Sequence, residues 1–456
     1  ESMPNLTFYG TEINAKGESN RFVATVDPVS LAITDRKRPK TTLGHTLYKL
    51  HYFDQIPVIG IYLSGLVALF FLFASITGIV IHWKNMINKF YAFTTQGKWK
   101  QIWTNAHTVL GTISLPFQIV YALTGALFGL LTLLLAPSVL ILFDGDSGEV
   151  FKSIRPDSAM LMDKDAGTSV NKPIQYFQQQ VNELYPDHEI LSILIRNYGK
   201  EDAIASVIVD DHLGIIGDGL LIYRMQSGLL VDRIEPYNKS YAQGVYNALL
   251  KLHFANFGGP LLKLIYFLLA LITGFMIISG ILLWQAARNT KQFSEKQKKF
   301  HRNVTGVYLA ICLGFIPSVA IIFIANKMVP ISWSDRAFHV NTIFFGSWQL
   351  IAVTAIIFRK NQAKMTIKLF LLTGILSMIV PLSNGLVTGD WFWQTIQGRL
   401  VWVGIVDIFW LIFGCVTLVA AFQINPQKEL INLPTKSQDS KKVPAAAIRQ
   451  KEEFVI

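Results

Sequence analysis

Seven stretches of this chain, near residues 57–82, 107–136, 260–284, 303–325, 340–358, 367–388 and 400–423, are long, apolar and almost free of charge. The first makes about 39 Å of α-helix, against a bilayer hydrocarbon core of about 30 Å. Inside lipid there is no water to bond the backbone, and a helix satisfies its own N–H and C=O groups within one segment. The pattern therefore predicts an all-α polytopic membrane bundle of about seven transmembrane helices. Composition excludes a soluble class: 51% of residues are hydrophobic, only 16% are charged, and mean hydropathy is +0.38. The two cysteines, Cys312 and Cys415, lie inside apolar runs, with no CxxC and no CxxCH to suggest a disulfide framework or covalent haem.

The polar segments carry charge asymmetrically. Lys84, Lys89, Lys98 and Lys100 follow the first span with no acid among them. Arg288, Lys291, Lys296, Lys298, Lys299 and Arg302 follow the third against a single Glu295, and Arg359, Lys360, Lys364 and Lys368 follow the fifth. The alternate loops, 326–339 and 389–399, are nearly neutral. By the positive-inside rule the basic loops and the tail 424–456 are expected in the cytoplasm. The net charge of +11 is then topological, and no nucleic-acid surface is expected. The same rule puts the N-terminal lobe, 1–50, and the insert 137–250 outside. That insert has 16 Asp and Glu against 9 Lys and Arg. Its pattern is α+β: an amphipathic helix over 174–184, strands over 203–209, 220–225 and 229–234, and a hairpin turn at Gln226-Ser227-Gly228. A short strand and turn are expected at 22–28. The remaining boundaries are 51–136 for the first two membrane helices, 251–325 for the next two and 326–423 for the last three. The chain starts without Met or a charged n-region, and another membrane helix is expected before Glu1.

One phrase is written twice. Lys49-Leu50-His51-Tyr52 precedes the first span, and Lys251-Leu252-His253-Phe254 precedes the third, an offset of 253 − 51 = 202 that also maps Gly78 onto Gly280. Neutral imidazole is the usual ligand of a non-covalent b-type haem, and six-coordinate iron takes one from each of two facing helices. His51 and His253 are therefore candidate axial ligands. His107 opens the second span, His301 opens the fourth, and His82 closes the first; these are further candidates. Each also has a plainer reading as an interfacial side chain bonded to water, headgroups or backbone. Lys49 and Lys251 could neutralise haem propionates, or simply snorkel to the interface. His45, His188, His212 and His339 have no repeat to support them. Small residues that leave room for a porphyrin include Gly60, Gly65, Gly78, Gly111, Gly125, Gly274 and Gly280, and Ile/Leu-Thr-Gly recurs at 76–78, 123–125, 272–274 and 372–374. Such residues also let apolar helices pack with no cofactor at all.

No HExxH, GxSxG, P-loop or strand-linked GxGxxG is present. Asp407, inside the last apolar run, is an intramembrane carboxylate and so a functional candidate, or a packing partner for another polar side chain.

These features together resemble the PepSY-associated transmembrane family. The resemblance rests on Gly44-His45-Thr46-Leu47-Tyr48-Lys49-Leu50-His51-Tyr52, Ile76-Thr77-Gly78, His107-x-x-x-Gly111 with Leu123-Thr124-Gly125, and the acidic insert ending at Lys251-Leu252-His253. It covers roughly residues 1–310. It implies a PepSY-like extracytoplasmic domain over 137–250 in a bacterial inner-membrane protein, similar to di-haem ferric-siderophore reductases. One haem would lie near the outer face on His51 and His253. A second would lie near the inner face on His107 and a histidine from a preceding helix that this sequence does not contain, so its other ligand falls to His301 or His82, or the site is incomplete. The resulting expectation is a haem b electron-transfer oxidoreductase that passes electrons outward to ferric-siderophore iron. With no flavin or nicotinamide module, a quinol or a separate reductase must be the donor. Two other readings stay open: a membrane-anchored PepSY module that binds peptides or peptidases, and a transporter using Asp407.

Overall fold

The computed structural model describes residues 6–13, 19–26, 33–37, 43–91, 99–160, 163, 165–211, 217–333, 335–398 and 400–424. Lys98, His212, the expected turn at Asp27-Pro28 and nearly all of the expected cytoplasmic tail lie outside the described residues.

The described chain opens with an antiparallel sheet of β1 (Leu6–Ile13), β2 (Ser19–Val26) and β3 (Ile33–Lys37). A nine-residue helix, α1 (Leu43–His51), precedes the first long apolar helix, α2 (Ile59–His82). Then come α3 (Met86–Phe90) and α4 (Trp99–Leu142). Two short helices, α5 (Ser147–Ile154) and α6 (Pro156–Ala159), lead to α7 (Ile174–Leu184). An antiparallel sheet follows, β4 (Ile190–Arg196), β5 (Ile204–Val209), β6 (Gly219–Arg224) and β7 (Leu230–Ile234), in sequence order. The helices α8 (Tyr241–Phe254), α9 (Gly259–Ala287), α10 (Glu295–Met328), α11 (Arg336–Ile357), α12 (Gln362–Thr388), α13 (Phe392–Thr395) and α14 (Val401–Gln423) complete the described residues. Seven of them, α2, α4, α9, α10, α11, α12 and α14, are long and apolar enough to cross a membrane. The protein is a polytopic helical membrane protein with a small α+β domain.

Two compact units are present, one over residues 44–97 and 101–279, the other over 1–43, 98–100 and 280–456. In the first, α2 and α4 approach at Gly65 and Gly129: a Cβ on Gly65 would lie 2.7 Å from the Gly129 carbonyl carbon. Only two glycines allow backbones so close. The helix α4 has 44 residues, and at both ends it runs past the stretch predicted from hydropathy. Its first eight residues, Trp99 to Ala106, are polar enough to escape a hydropathy reading yet contain no helix breaker.

The α+β domain, also in this unit, is a sheet covered on both faces. Phe177 and Val181 of α7 pack on Ala203, Ala205, Val207, Val209, Leu221 and Tyr223, while Ile204, Leu220, Ile222 and Ile234 bury the opposite face. That is why β5, interrupted only by the small buried Ser206, reads as an apolar run without alternation. The β6–β7 turn needs Gly228, whose φ is +77°.

In the second unit, α12 contacts both α10 and α14, and α10 contacts α11. Ala320, Val380 and Trp410 form an apolar cluster flanked by Phe323, Phe409 and Phe413. A Ser-x-x-Gln capping box starts α10 at Ser294 and Gln297, and another starts α8 at Ser240 and Gln243.

Candidate functional site

The repeat in the sequence is a repeat in the backbone. α1 ends on Lys49-Leu50-His51 and α8 on Lys251-Leu252-His253-Phe254, so each histidine lies in the last turn of a short helix that precedes a membrane span. Each helix is followed by a left-handed residue, Phe53 (φ 58°) and Ala255 (φ 52°), before α2 and α9 begin. These are once more 202 positions apart (255 − 53).

The two helix ends bring the imidazoles together. The ring centroids of His51 and His253 lie 6.0 Å apart, with their planes at 61°. Nδ1 of His253 is 2.9 Å from the Thr124 hydroxyl on α4. That hydroxyl donates its one proton to the Val120 carbonyl at 2.6 Å, so toward His253 it accepts. The proton of a neutral His253 therefore sits on Nδ1, leaving the Nε2 lone pair available as a ligand. Phe128 and Phe254 pack edge-on against this ring, each at 5.2 Å. Burial, with a further contribution from neighbouring His51, holds the His253 pKa below its ordinary value. The ring is thus neutral at neutral pH, as a ligand must be.

The 6.0 Å separation is that of an edge-to-face ring contact, and it also leaves both imidazoles within reach of one group bound between them. Among the described residues no three His, Cys, Asp or Glu side chains converge, whereas a protein-only zinc site takes three or four. A haem brings its own equatorial nitrogens and asks the protein for two axial ligands. His51 and His253 are the residues that would hold such a group.

Lys49 pairs with Asp54 at 2.6 Å. Lys251 reaches from α8 to the β5–β6 connection of the α+β domain, 2.9 Å from Asp218 and 3.2 Å from Asp211. Burial alone would lower the Lys251 pKa, but Asp218 and Asp211 together raise it. Gly217 also donates its N–H to Asp211 at 2.8 Å, and a Cβ there would collide with Asn247 of α8. The α+β domain thus grips the helix that carries His253.

At the other end of α4, Nδ1 of His107 lies 2.8 Å from the Ser279 hydroxyl of α9, which donates to the Met276 carbonyl at 3.2 Å. The hydroxyl thus orients the His107 ring against α9. Trp103, one turn earlier, stacks on Phe275 at 5.7 Å. His82 is the half-buried last residue of α2. His301 stands in the other compact unit, boxed by Trp284 at 5.1 Å and Phe293 at 5.4 Å, and its buried Nδ1 has no hydrogen-bond partner.

The family model for the PepSY-associated TM region matches residues 4–287, well over half of the chain. The chain belongs to this family. No curated protein matches the sequence. The PepSY-associated TM segment contains both hydroxyl-anchored histidines and stops at the end of α9, leaving α10–α14 outside the match. Within it, Thr124 and Ser279 are the site residues that sequence reasoning passed over. Thr124 sits in one of four Ile/Leu-Thr-Gly triplets, but Thr77, Thr273 and Thr373 bond only to their own helix backbones. The triplet alone could not have singled it out.

Proposed function

We propose that this chain is a haem b electron carrier of a bacterial inner membrane, an oxidoreductase that reduces an acceptor on the side of the α+β domain, chelated ferric iron of the siderophore type. One observation carries the reading: two imidazoles from duplicated helix ends lie 6.0 Å apart, centroid to centroid, one of them held by Thr124 in the tautomer that leaves Nε2 unprotonated. A haem held there supplies one-electron chemistry at a potential set by its ligands and their surroundings. The chain's own part is positional. Thr124 orients His253, the left-handed turns at Phe53 and Ala255 aim the two helix ends at each other, and Lys251 ties α8 to the α+β domain. His107, anchored by Ser279, is the residue through which a second haem would be held. Electrons come from a quinol or a separate reductase, and residues 1–50 and 137–250 face the periplasm.

A second reading, a membrane-anchored peptide-binding module, draws on β4. It is an edge strand that leaves Leu191 and Leu194 about half exposed, and an extended peptide can add to such an edge. The absorbance spectrum of the purified protein separates the two. Reducible Soret and α bands, with oxidation on adding a ferric chelate, are expected of the electron carrier. A protein with no such bands after haem-replete expression would refute it.

A further inference from the structure

The helices α10–α14 lie outside the family match and belong to the second compact unit. Within them, α12 buries a polar stripe. Gln362, Thr366, Thr373, Ser377 and Asn384 follow steps of four and seven, which keep one face of a helix, and each is more than nine-tenths buried. The helix has 27 residues, about 40 Å, so the stripe runs the depth of a bilayer.

Its two ends are polar and organised. At one, Gln362 bonds Gln285 at 3.0 Å and the Arg302 carbonyl at 3.1 Å. At the other, Asn384 donates from Nδ2 to the Asp407 carboxylate on α14 at 2.8 Å and to the Asp390 carbonyl at 3.0 Å. Asp407 is only 3% exposed. Between the ends two of the stripe's three hydroxyls depart from the usual habit. Serine and threonine in membrane helices bond back to the preceding turn, as Thr373 and Thr417 do here. The buried hydroxyls of Thr366 and Ser377, and of Thr305 on α10, have no partner. Pro381, inside α12, also removes the N–H that the Ser377 carbonyl would otherwise receive. A buried polar group without a protein partner costs free energy unless ordered water or another group bonds it.

We propose that this bundle carries protons across the membrane along the buried face of α12, with Asp407 as the titrating carrier. A hydroxyl accepts a proton on oxygen while giving up its own. Asp407 takes one up as a carboxylic acid and returns it, so the net change is one proton moved between faces, with no electron moved. Steps of seven residues leave about 10 Å between hydroxyls, a span that ordered waters bonded to the unpaired groups bridge. Larger cargo is excluded where α12 meets α14: a Cβ on Gly414 would lie 3.1 Å from the Gly374 carbonyl oxygen, and a Cβ on Gly374 would lie 3.1 Å from that of Gly414.

The test uses the full chain in liposomes that trap a pH-sensitive dye, with a potassium–valinomycin potential to drive protons inward. Wild type should acidify the lumen faster than protein-free vesicles do. Asp407→Asn should lower that flux by about a hundredfold, the low end of what a positioned proton carrier contributes. Ser377→Val should lower it about tenfold, the rate equivalent of one lost hydrogen bond. If Asp407→Asn does not fold, judged by elution profile and helix content, Ser377→Val carries the test. Wild-type flux no greater than in empty vesicles would overturn the proposal, as would a folded variant conducting like wild type. No reductant or haem is needed, so the outcome is independent of the histidine pair.

Discussion

Replacing Thr124 with valine removes one hydroxyl and keeps the side-chain shape. Thr124 is 1% exposed, so water cannot substitute for it at Nδ1 of His253. A buried N–H left without an acceptor costs about 1–3 kcal/mol, and loss of the group that orients a metal-bound histidine weakens metal affinity by about 10- to 100-fold. The two scales agree, since 1.4 kcal/mol is about tenfold. Haem titrated into the detergent-solubilised apoprotein and followed by absorbance should therefore bind T124V about 10- to 100-fold more weakly than wild type. Thr124→Ser, which keeps the acceptor, should stay within about threefold, less than one full hydrogen bond. A T124V protein that binds haem with wild-type affinity and an unchanged spectrum would refute the reasoning, because His253 would then not depend on that hydroxyl to present Nε2.

Lys251→Met removes the ammonium 3.2 Å from buried Asp211 while Lys239 still acts on that carboxylate, so the loss in chemical denaturation should be at most about 3 kcal/mol. Adding Asp211→Asn to that variant should recover part of the loss, because the under-compensated charge is gone. The pH dependence of His253 has a definite sign. Its folded pKa lies below the unfolded value of 6.5, so the unfolded chain binds the proton more readily, and this group's contribution is intact above 6.5 and lost as the pH falls through and below it. Haem bands measured in an acid titration should accordingly persist through pH 6.5 and decline only at lower pH, where the folded-state imidazole takes up its proton. Gly129→Leu should destabilise the protein by about 1–3 kcal/mol or more, through collision with the Gly65 backbone. Gly78→Ala, where a Cβ would meet nothing within 4 Å, should change the thermal midpoint little.

Some of this architecture is legible in the sequence because a bilayer imposes a length on any span. The seven apolar runs correspond to seven long helices, and the amphipathic run over 174–184 is α7. Three strands of the α+β domain and the turn at Gly228 also follow from apolar runs bounded by turn residues. Other elements are hidden for physical reasons. Phe53 and Ala255 adopt a left-handed conformation that usually signals glycine, so nothing in their identity marks where α1 and α8 stop. β4 is a short run, Ile190-Leu-Ser-Ile-Leu-Ile-Arg196, whose apolar residues do not alternate, and periodicity cannot tell such a run from a helix segment. β1 mixes Leu6, Phe8, Tyr9 and Ile13 with polar residues in no sustained alternation, and β3 is polar, so neither announces itself. The 202-residue offset raises His51 and His253 out of nine histidines, and the structure sets their rings side by side. Thr124 and Ser279 stayed invisible because their contacts span 129 and 172 residues of chain. A hydroxyl that bonds an imidazole looks, in sequence, like one that bonds its own helix.

The central claim is that His51 and His253 together hold one haem, and the reduced-minus-oxidised absorbance spectrum of His51→Ala tests it most directly. With wild type and His253→Ala purified alongside, each single variant should lose the low-spin signature and the haem content of that site to a similar extent. A His51→Ala protein with full haem content and a wild-type spectrum would contradict the account.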